Sequence, residues 1–255
     1  SWSGRGIVIC AGGQKLFTNA WVSIRTLREA GCTLPIELWH LGPEELDEEM
    51  AELVSDYDVT CIDALNIRQS RPSRILRGWE LKAYAILHSR FAEVLLLDAD
   101  NSVRRDPSHL FESTIYRDFG SLFWPDVGRF QRFHPAWDLF GVPYRNEPEV
   151  ESGQILIDKT RCDRALSLTC WINQNSDFFY HYLIGDKDTF RFAFHCLNQP
   201  FGMCPVPAMG CRPAHRQDAS ALLQHDPDGS PLFQHRIFPK WTYDGSTLRI
   251  PGFEG

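Results

Sequence analysis

Phe91-Ala92-Glu93-Val94-Leu95-Leu96-Leu97-Asp98-Ala99-Asp100-Asn101 (FAEVLLLDADN) is the stretch that decides the fold. Glu93 to Leu97 reads as a short strand buried on both faces, because a continuous apolar run bounded by turn residues leaves no side for water. It stops at Asp98 and Asp100, which places two carboxylates at the C-terminal edge of a buried strand, where open α/β sheets bind ligands. Asp-x-Asp also occurs at Asp56/Asp58, Asp186/Asp188 and Asp226/Asp228, so context and not the triplet singles out this pair.

Upstream, short apolar runs alternate with helical patterns. Gly6 to Ala11 reads as a strand, followed by a Gly12-Gly13 turn and then Phe17, Ala20, Trp21, Ile24 and Leu27 at helical spacing up to Gly31. Pro35 to Leu41 is a second strand. Pro43 to Ser55 is a second helix, opening on Pro and acidic residues as helix N-termini prefer. Val59 to Ile62 is a third strand ending at Asp63, and Trp79 to Ser89 a third helix. Three βα units ahead of the fourth strand predict an α/β fold with a central, mostly parallel sheet flanked by helices. Further on, Gly120 to Phe123 and Gln154 to Ile157 read as strands, and Lys159 to Asn175 and Asp186 to Leu197 as helices. Residues 201 to 255, rich in Pro and Gly, are expected to form loops and short strands closing over the sheet.

The 255 residues, 43% hydrophobic and 23% charged, suit one packed domain and exclude disordered, collagen-like and coiled-coil classes. The net charge of −7, from 26 Lys+Arg against 33 Asp+Glu, opposes a nucleic-acid footprint. No apolar run approaches the ~20 residues of a membrane span. The chain opens at Ser1 without Met or a signal pattern, which reads as a processed fragment whose membrane anchor could lie upstream. The eight cysteines form no CxxC pair, so a zinc ribbon is not supported. Cys10 and Cys61 sit in apolar runs as buried thiols would, and Cys196, Cys204 and Cys211 are the candidates for disulfides.

Two hard oxygen ligands at Asp98 and Asp100 suit Mg²⁺ or Mn²⁺ carrying a diphosphate. Haloacid-dehalogenase-like phosphatases place a similar acidic pair after an apolar strand, but it opens their fold, and Ser102 stands where Thr or Val is expected. Metal-dependent nucleotide-sugar glycosyltransferases place it after a nucleotide-binding half, which is the order found here. That divides the chain into a nucleotide-binding half, 6–100, and an acceptor-binding half with its closing segment, 101–255. A non-catalytic carbohydrate-binding module is a third reading. Gly12 and Gly13 could offer backbone N–H groups to the nucleotide, Lys15 a phosphate or base contact, and Asp63 an acceptor for a base N–H. Arg68, Arg71, Arg74 and Arg77 recur every three residues ahead of Lys82, and Arg74 and Lys82 are the candidates for donor phosphate or sugar.

Trp79-x-x-Lys82, FAEVLLLDADN, DPSHLF (106–111), FWPD (123–126), ESGQILID (151–158), GDKDTF (185–190) and QHRIFPKW (234–241) together resemble, in the same order, the fungal Mnn1/Mnn2-type α-mannosyltransferases of family GT71. The resemblance runs from about residue 6 to residue 245. It implies a GT-A fold, a divalent metal, a nucleotide-sugar donor (GDP-mannose, with a UDP-sugar as the alternative), a glycan acceptor and retention of anomeric configuration. It also implies a Golgi-luminal catalytic part of a type II membrane protein, a cytoplasmic location being the alternative. His235 becomes the third metal ligand beside Asp98 and Asp100, and Lys240 a phosphate contact. Glu151 and Asp186 are nucleophile-or-stabiliser candidates, either for a covalent route or for same-face attack, with Asp188 a further catalytic candidate. An N-cap is the local alternative for Asp186 or Asp188. Gln154 and Lys187 would touch substrate, and Trp124 and Asp126, with the aromatic stretch 130–140, resemble an acceptor loop.

Overall fold

The computed structural model describes residues 2–75, 78–211, 221–237 and 240. Arg77 and Trp241 lie outside the described residues.

The first half follows the βα reading. Strand β1 (Arg5–Cys10) leads into helix α1 (Gly13–Glu29), then β2 (Ile36–His40), α2 (Glu48–Ser55), β3 (Val59–Asp63), α3 (Ala64–Ser70), α4 (Leu81–His88) and β4 (Glu93–Asp98). Helix α2 begins later than the Pro43 signal suggested, because the Asp47 carboxylate caps it by accepting from Met50 N at 2.8 Å. The freed residues form the turn that carries Glu45 to the Gly12-Gly13 loop. Helix α3 was not expected; Asp63 caps it, accepting from Leu65 N at 2.8 Å.

The second half supplies β5 (Asn101–Val103), α5 (Thr114–Phe119), β6 (Ser121–Pro125), α6 (Ala136–Leu139), β7 (Val150–Asp158), α7 (Lys159–Gln174), α8 (Ser176–Phe179) and α9 (Lys187–Cys196). Four short strands follow: β8 (Gly202–Met203), β9 (Met209–Cys211), β10 (Ala221–His225) and β11 (Pro231–Arg236). Seven strands form one sheet in the order β3-β2-β1-β4-β7-β6-β8, in which only β7 runs against its neighbours. The other four form an antiparallel sheet, β5-β11-β10-β9.

The uninterrupted apolar runs of β1 and β4 are explained by cover on both faces. Ile7, Ile9, Leu95 and Leu97 pack with Phe17, Ile24 and Leu27 of α1, whereas Val8, Val94 and Leu96 pack with Ile86 of α4, Leu166 of α7 and Phe190 and Phe194 of α9. All of these except Phe17 are fully buried, each worth about 1.5–3 kcal/mol as an upper bound on transfer from water. Strand β4 therefore sits at the centre of the core with its last residue, Asp98, at the edge.

All eight cysteines are free, against the disulfide expectation for Cys196, Cys204 and Cys211. Cys196 Sγ lies 3.4 Å from Phe140 O and Cys204 Sγ 3.4 Å from His225 O, so each thiol has a carbonyl acceptor. Burial pushes the Cys204 thiol up to about 11.

Candidate active site

The Asp98-Ala99-Asp100 turn is where the chain passes from one sheet to the other. Asp98 ends β4 and Asn101 begins β5, which pairs antiparallel with β11 so that Asn101 lies opposite His235. Arg236 N also donates to Asp100 O at 3.0 Å. This register brings a histidine from far along the chain to the two aspartates. His235 Nε2 is 3.1 Å from Asp100 Oδ1 and 3.7 Å from Asp98 Oδ2, and the ligand atoms of all three residues lie within 4.8 Å of one another.

Strand β7 runs past the end of β4, placing Glu151 and Ser152 beside the same turn; Leu97 is opposite Gln154. Lys82, on the first turn of α4, reaches in from below. Its Nζ is 2.7 Å from Asp98 Oδ1, 3.4 Å from Asp186 Oδ2 and 3.3 Å from Ser152 Oγ. Burial by itself would lower the Lys82 pKa, but Asp186 and Asp98 outweigh it and hold the ammonium above its ordinary range. Burial pushes Asp98 up to about 6 against the pull of Lys82 and His235. Asp100 ends below the ordinary carboxylate range: burial would raise it, but His235 and Lys240, which ion-pairs with it, hold it down.

Four carboxylates (Asp98, Asp100, Glu151 and Asp186), all but Asp98 almost fully buried, thus surround two lysines and one imidazole. Glu151, Asp100 and Asp98 hold the His235 imidazole well above its ordinary range although burial opposes this, and with it charged the cluster is one negative charge in excess. Two hard oxygen donors and an imidazole are a donor set that fits Mn²⁺ or Mg²⁺, and the excess negative charge is what a divalent cation would balance. The aspartates border a cleft of about 170 Å³ whose other walls include Gly12 and Leu16 after β1, Leu41 after β2, Trp79 before α4, and Lys240.

The other expected site residues fall into two groups. Gly12 is at the cleft, and a Cβ there would meet the Glu45 carboxylate at 1.9 Å; Gly13 N donates to Glu45 O at 2.7 Å, so that N–H is not free for a nucleotide. Asp186 is at the N-cap position of α9, but its side chain makes no capping hydrogen bond and points to Lys82 instead. Gln154 is fully buried beside Glu151 and Asn101.

Several do not face the cleft. Asp63 Oδ1 accepts from Gly42 N at 3.0 Å as well as from Leu65 N, serving the β2 turn and the cap of α3. Lys15 is exposed on the first turn of α1. Arg74 is on the surface, paired with Asp177 at 3.0 Å, because its periodic spacing with other arginines follows an exposed segment and not the phosphate side. Trp124 is fully buried, donates to His225 O at 2.7 Å and packs edge-on against Phe233, so its ring offers no face to a sugar. Lys187 Nζ bridges Asp126 Oδ2 at 2.6 Å and Glu149 Oε2 at 2.7 Å, tying α9 to the β6–β7 connection. Asp188 is fully buried, 2.8 Å from Arg191 Nη2, and accepts from Val150 N at 3.2 Å; it anchors the start of β7.

Sequence reasoning did not assign Asn101 or Glu45 to this site, and had Trp79 and Ser152 only within motifs of the family resemblance. Of the first two, only Asn101 carried a signal, its place directly after the acidic pair.

The mannosyltransferase family model Mannosyl_trans3 matches residues 4–144 and 135–226, a span containing both aspartates, Lys82, Glu151 and Asp186. The chain belongs to the mannosyltransferase family. Among curated relatives, the α-1,2-mannosyltransferase MNN2 of Candida albicans is 23% identical over 315 residues, covering 97% of this chain and 53% of that protein. MNN21 of Candida albicans, also an α-1,2-mannosyltransferase, is 34% identical over 244 residues, covering 74% of this chain and 37% of that protein. This mannosyltransferase-family chain spans about half the length of the curated relatives it matches first. Among solved structures, the bifunctional glycosyltransferase WbbM superposes with a TM-score of 0.58 at 11% identity, over 79% of this chain and 39% of that one. The galactosyltransferase LgtC superposes with a TM-score of 0.53 at 15% identity, over 78% and 73%. The fold is GT-A, and membership of this family sets aside the haloacid-dehalogenase-type phosphatase reading.

Proposed function

We propose that the chain transfers mannose from GDP-mannose to a glycan acceptor, with retention of configuration and with a divalent cation at Asp98, Asp100 and His235. The observation that carries this reading is the convergence of those three residues, two of which, Asp98 and Asp100, line the cleft, in a chain of the mannosyltransferase family. The curated relatives are named α-1,2-mannosyltransferases, and an α-linked donor that gives an α-linked product retains configuration.

A cation bound there would neutralise negative charge growing on the departing diphosphate. Lys240 at the mouth of the cleft is placed to add its charge to the same phosphate group. Lys82 fixes both Asp98, which lines the cleft, and Asp186 beside it, so the carboxylate facing the donor is already oriented. Leu16, Leu41 and Trp79 give the cleft an apolar wall suited to the nucleoside, and their burial by it would exclude water from the reacting bond. No described helix is long and apolar enough to cross a membrane.

The donor is tested by melting temperature in Mn²⁺. GDP and GDP-mannose are expected to raise it by about 5 °C or more at saturating concentration, and UDP and UDP-glucose by much less. A larger shift with the UDP compounds would replace the donor assignment.

A further inference from the structure

Glu151, a nucleophile candidate from the sequence, has neither carboxylate oxygen free. Oε1 accepts from Gly153 N at 2.6 Å and lies 2.9 Å from His235 Nδ1, while Oε2 accepts from Gln154 Nε2 at 2.7 Å. The residue is buried and does not line the cleft. Its partners are fixed in turn: Asn101 Nδ2 donates to Gln154 Oε1 at 2.8 Å and to Gly153 O at 2.7 Å, and Asn101 is opposite His235 in the β5–β11 pair. At Gly153 a Cβ would come within 2.5 Å of His235 Nδ1, so the bare backbone there makes room for the ring.

We propose that Glu151 is a positioning residue that orients His235 for the Asp98/Asp100 cation site. A neutral imidazole carries its proton on one nitrogen and its lone pair on the other, and the hydrogen bond made by one decides the role of the other. With Nδ1–H given to Glu151, a cation taking the place of the proton that Nε2 shares with Asp100 at 3.1 Å would meet the Nε2 lone pair, as a carboxylate behind a metal-bound histidine arranges it. Attack on an anomeric carbon would require an oxygen of Glu151 to leave these partners and reach a cleft that it does not line. The inference rests on the cation reading proposed above.

Mn²⁺ binding, followed by loss of the free-ion EPR signal with no donor or acceptor present, tests it. Wild type should bind. Glu151→Ala should raise the Kd about 10–100-fold, and Glu151→Gln, whose amide oxygen still accepts from Nδ1–H, should stay within about threefold of wild type. Equal Kd values for Glu151→Ala and wild type would overturn the inference and leave the cation reading standing; so would Glu151→Gln binding as weakly as Glu151→Ala. Absence of binding by wild type would remove the cation reading and this inference with it. Should Glu151→Ala fail to fold, the ¹⁵N shifts of His235 in Mg²⁺-loaded wild type and Glu151→Gln decide. A protonated Nδ1 in both supports the inference, and a protonated Nε2 overturns it.

Discussion

Asp100→Asn should lower kcat/KM for sugar transfer by about 10³-fold, equivalent to ~4 kcal/mol of lost transition-state stabilisation, and should also lower the melting temperature of the metal-free protein by several degrees. The substitution keeps shape and removes charge. Asp100 is the carboxylate most committed to its anionic form, since His235 and Lys240 hold it below the ordinary range although it is buried. Taking that charge away removes a ligand from the only described cluster in which three such residues converge, and leaves Lys240 without its carboxylate partner. The fold itself should persist, because the backbone of the turn is held by Arg236 N on Asp100 O and by the β5–β11 ladder, but the stability that His235 and Lys240 give through the Asp100 anion is lost. Steady-state kinetics with Mn²⁺ and a thermal melt in EDTA check both parts. Activity above about a tenth of wild type would contradict the assignment.

Lys82→Met should have the largest effect on stability. Its ammonium is buried between Asp98 and Asp186, and removing one partner of a buried ionic cluster leaves uncompensated charge at a cost of about 3–5 kcal/mol. For a domain of this size that is a fall of about 6–20 °C in melting temperature. Mn²⁺ should recover part of the loss, because a bound cation restores compensation to Asp98. A melt of Lys82→Met in EDTA indistinguishable from wild type would show that the cluster is more hydrated than its burial implies. Equal losses with and without Mn²⁺ would separate Lys82 from the cation site.

How far the sequence could be read depended on how local each signal was. The strands β1 and β4 were legible because burial on both faces writes an unbroken apolar run, and the Asp98/Asp100 edge followed from where that run stops. Strand β7 was legible only from Gln154 onward, since Glu151, Ser152 and Gly153 break the apolar pattern; those polar residues serve the site. Asp63 looked like a ligand residue because a strand-end aspartate and a helix cap share one local pattern. Arg74 illustrates the opposite failure: a regular spacing of charges suggested a binding face, and its partner, Asp177, lies in a segment no local pattern connects to it. His235 came from family resemblance alone, because the pairing of β5 with β11 is a tertiary fact. The role of Glu151 was out of reach for the same reason, as it depends on the approach of β7 and β11 across the turn.

Metal-dependent, retaining mannosyl transfer can be read from the reaction itself. The protein is incubated with GDP-mannose and an α-mannoside acceptor, in Mn²⁺ and in EDTA, and the product is read by NMR at the new anomeric centre. An α-linked mannose should form with Mn²⁺ and be lost with EDTA. A β-linked product, or transfer undiminished when the divalent cation is removed, would contradict it.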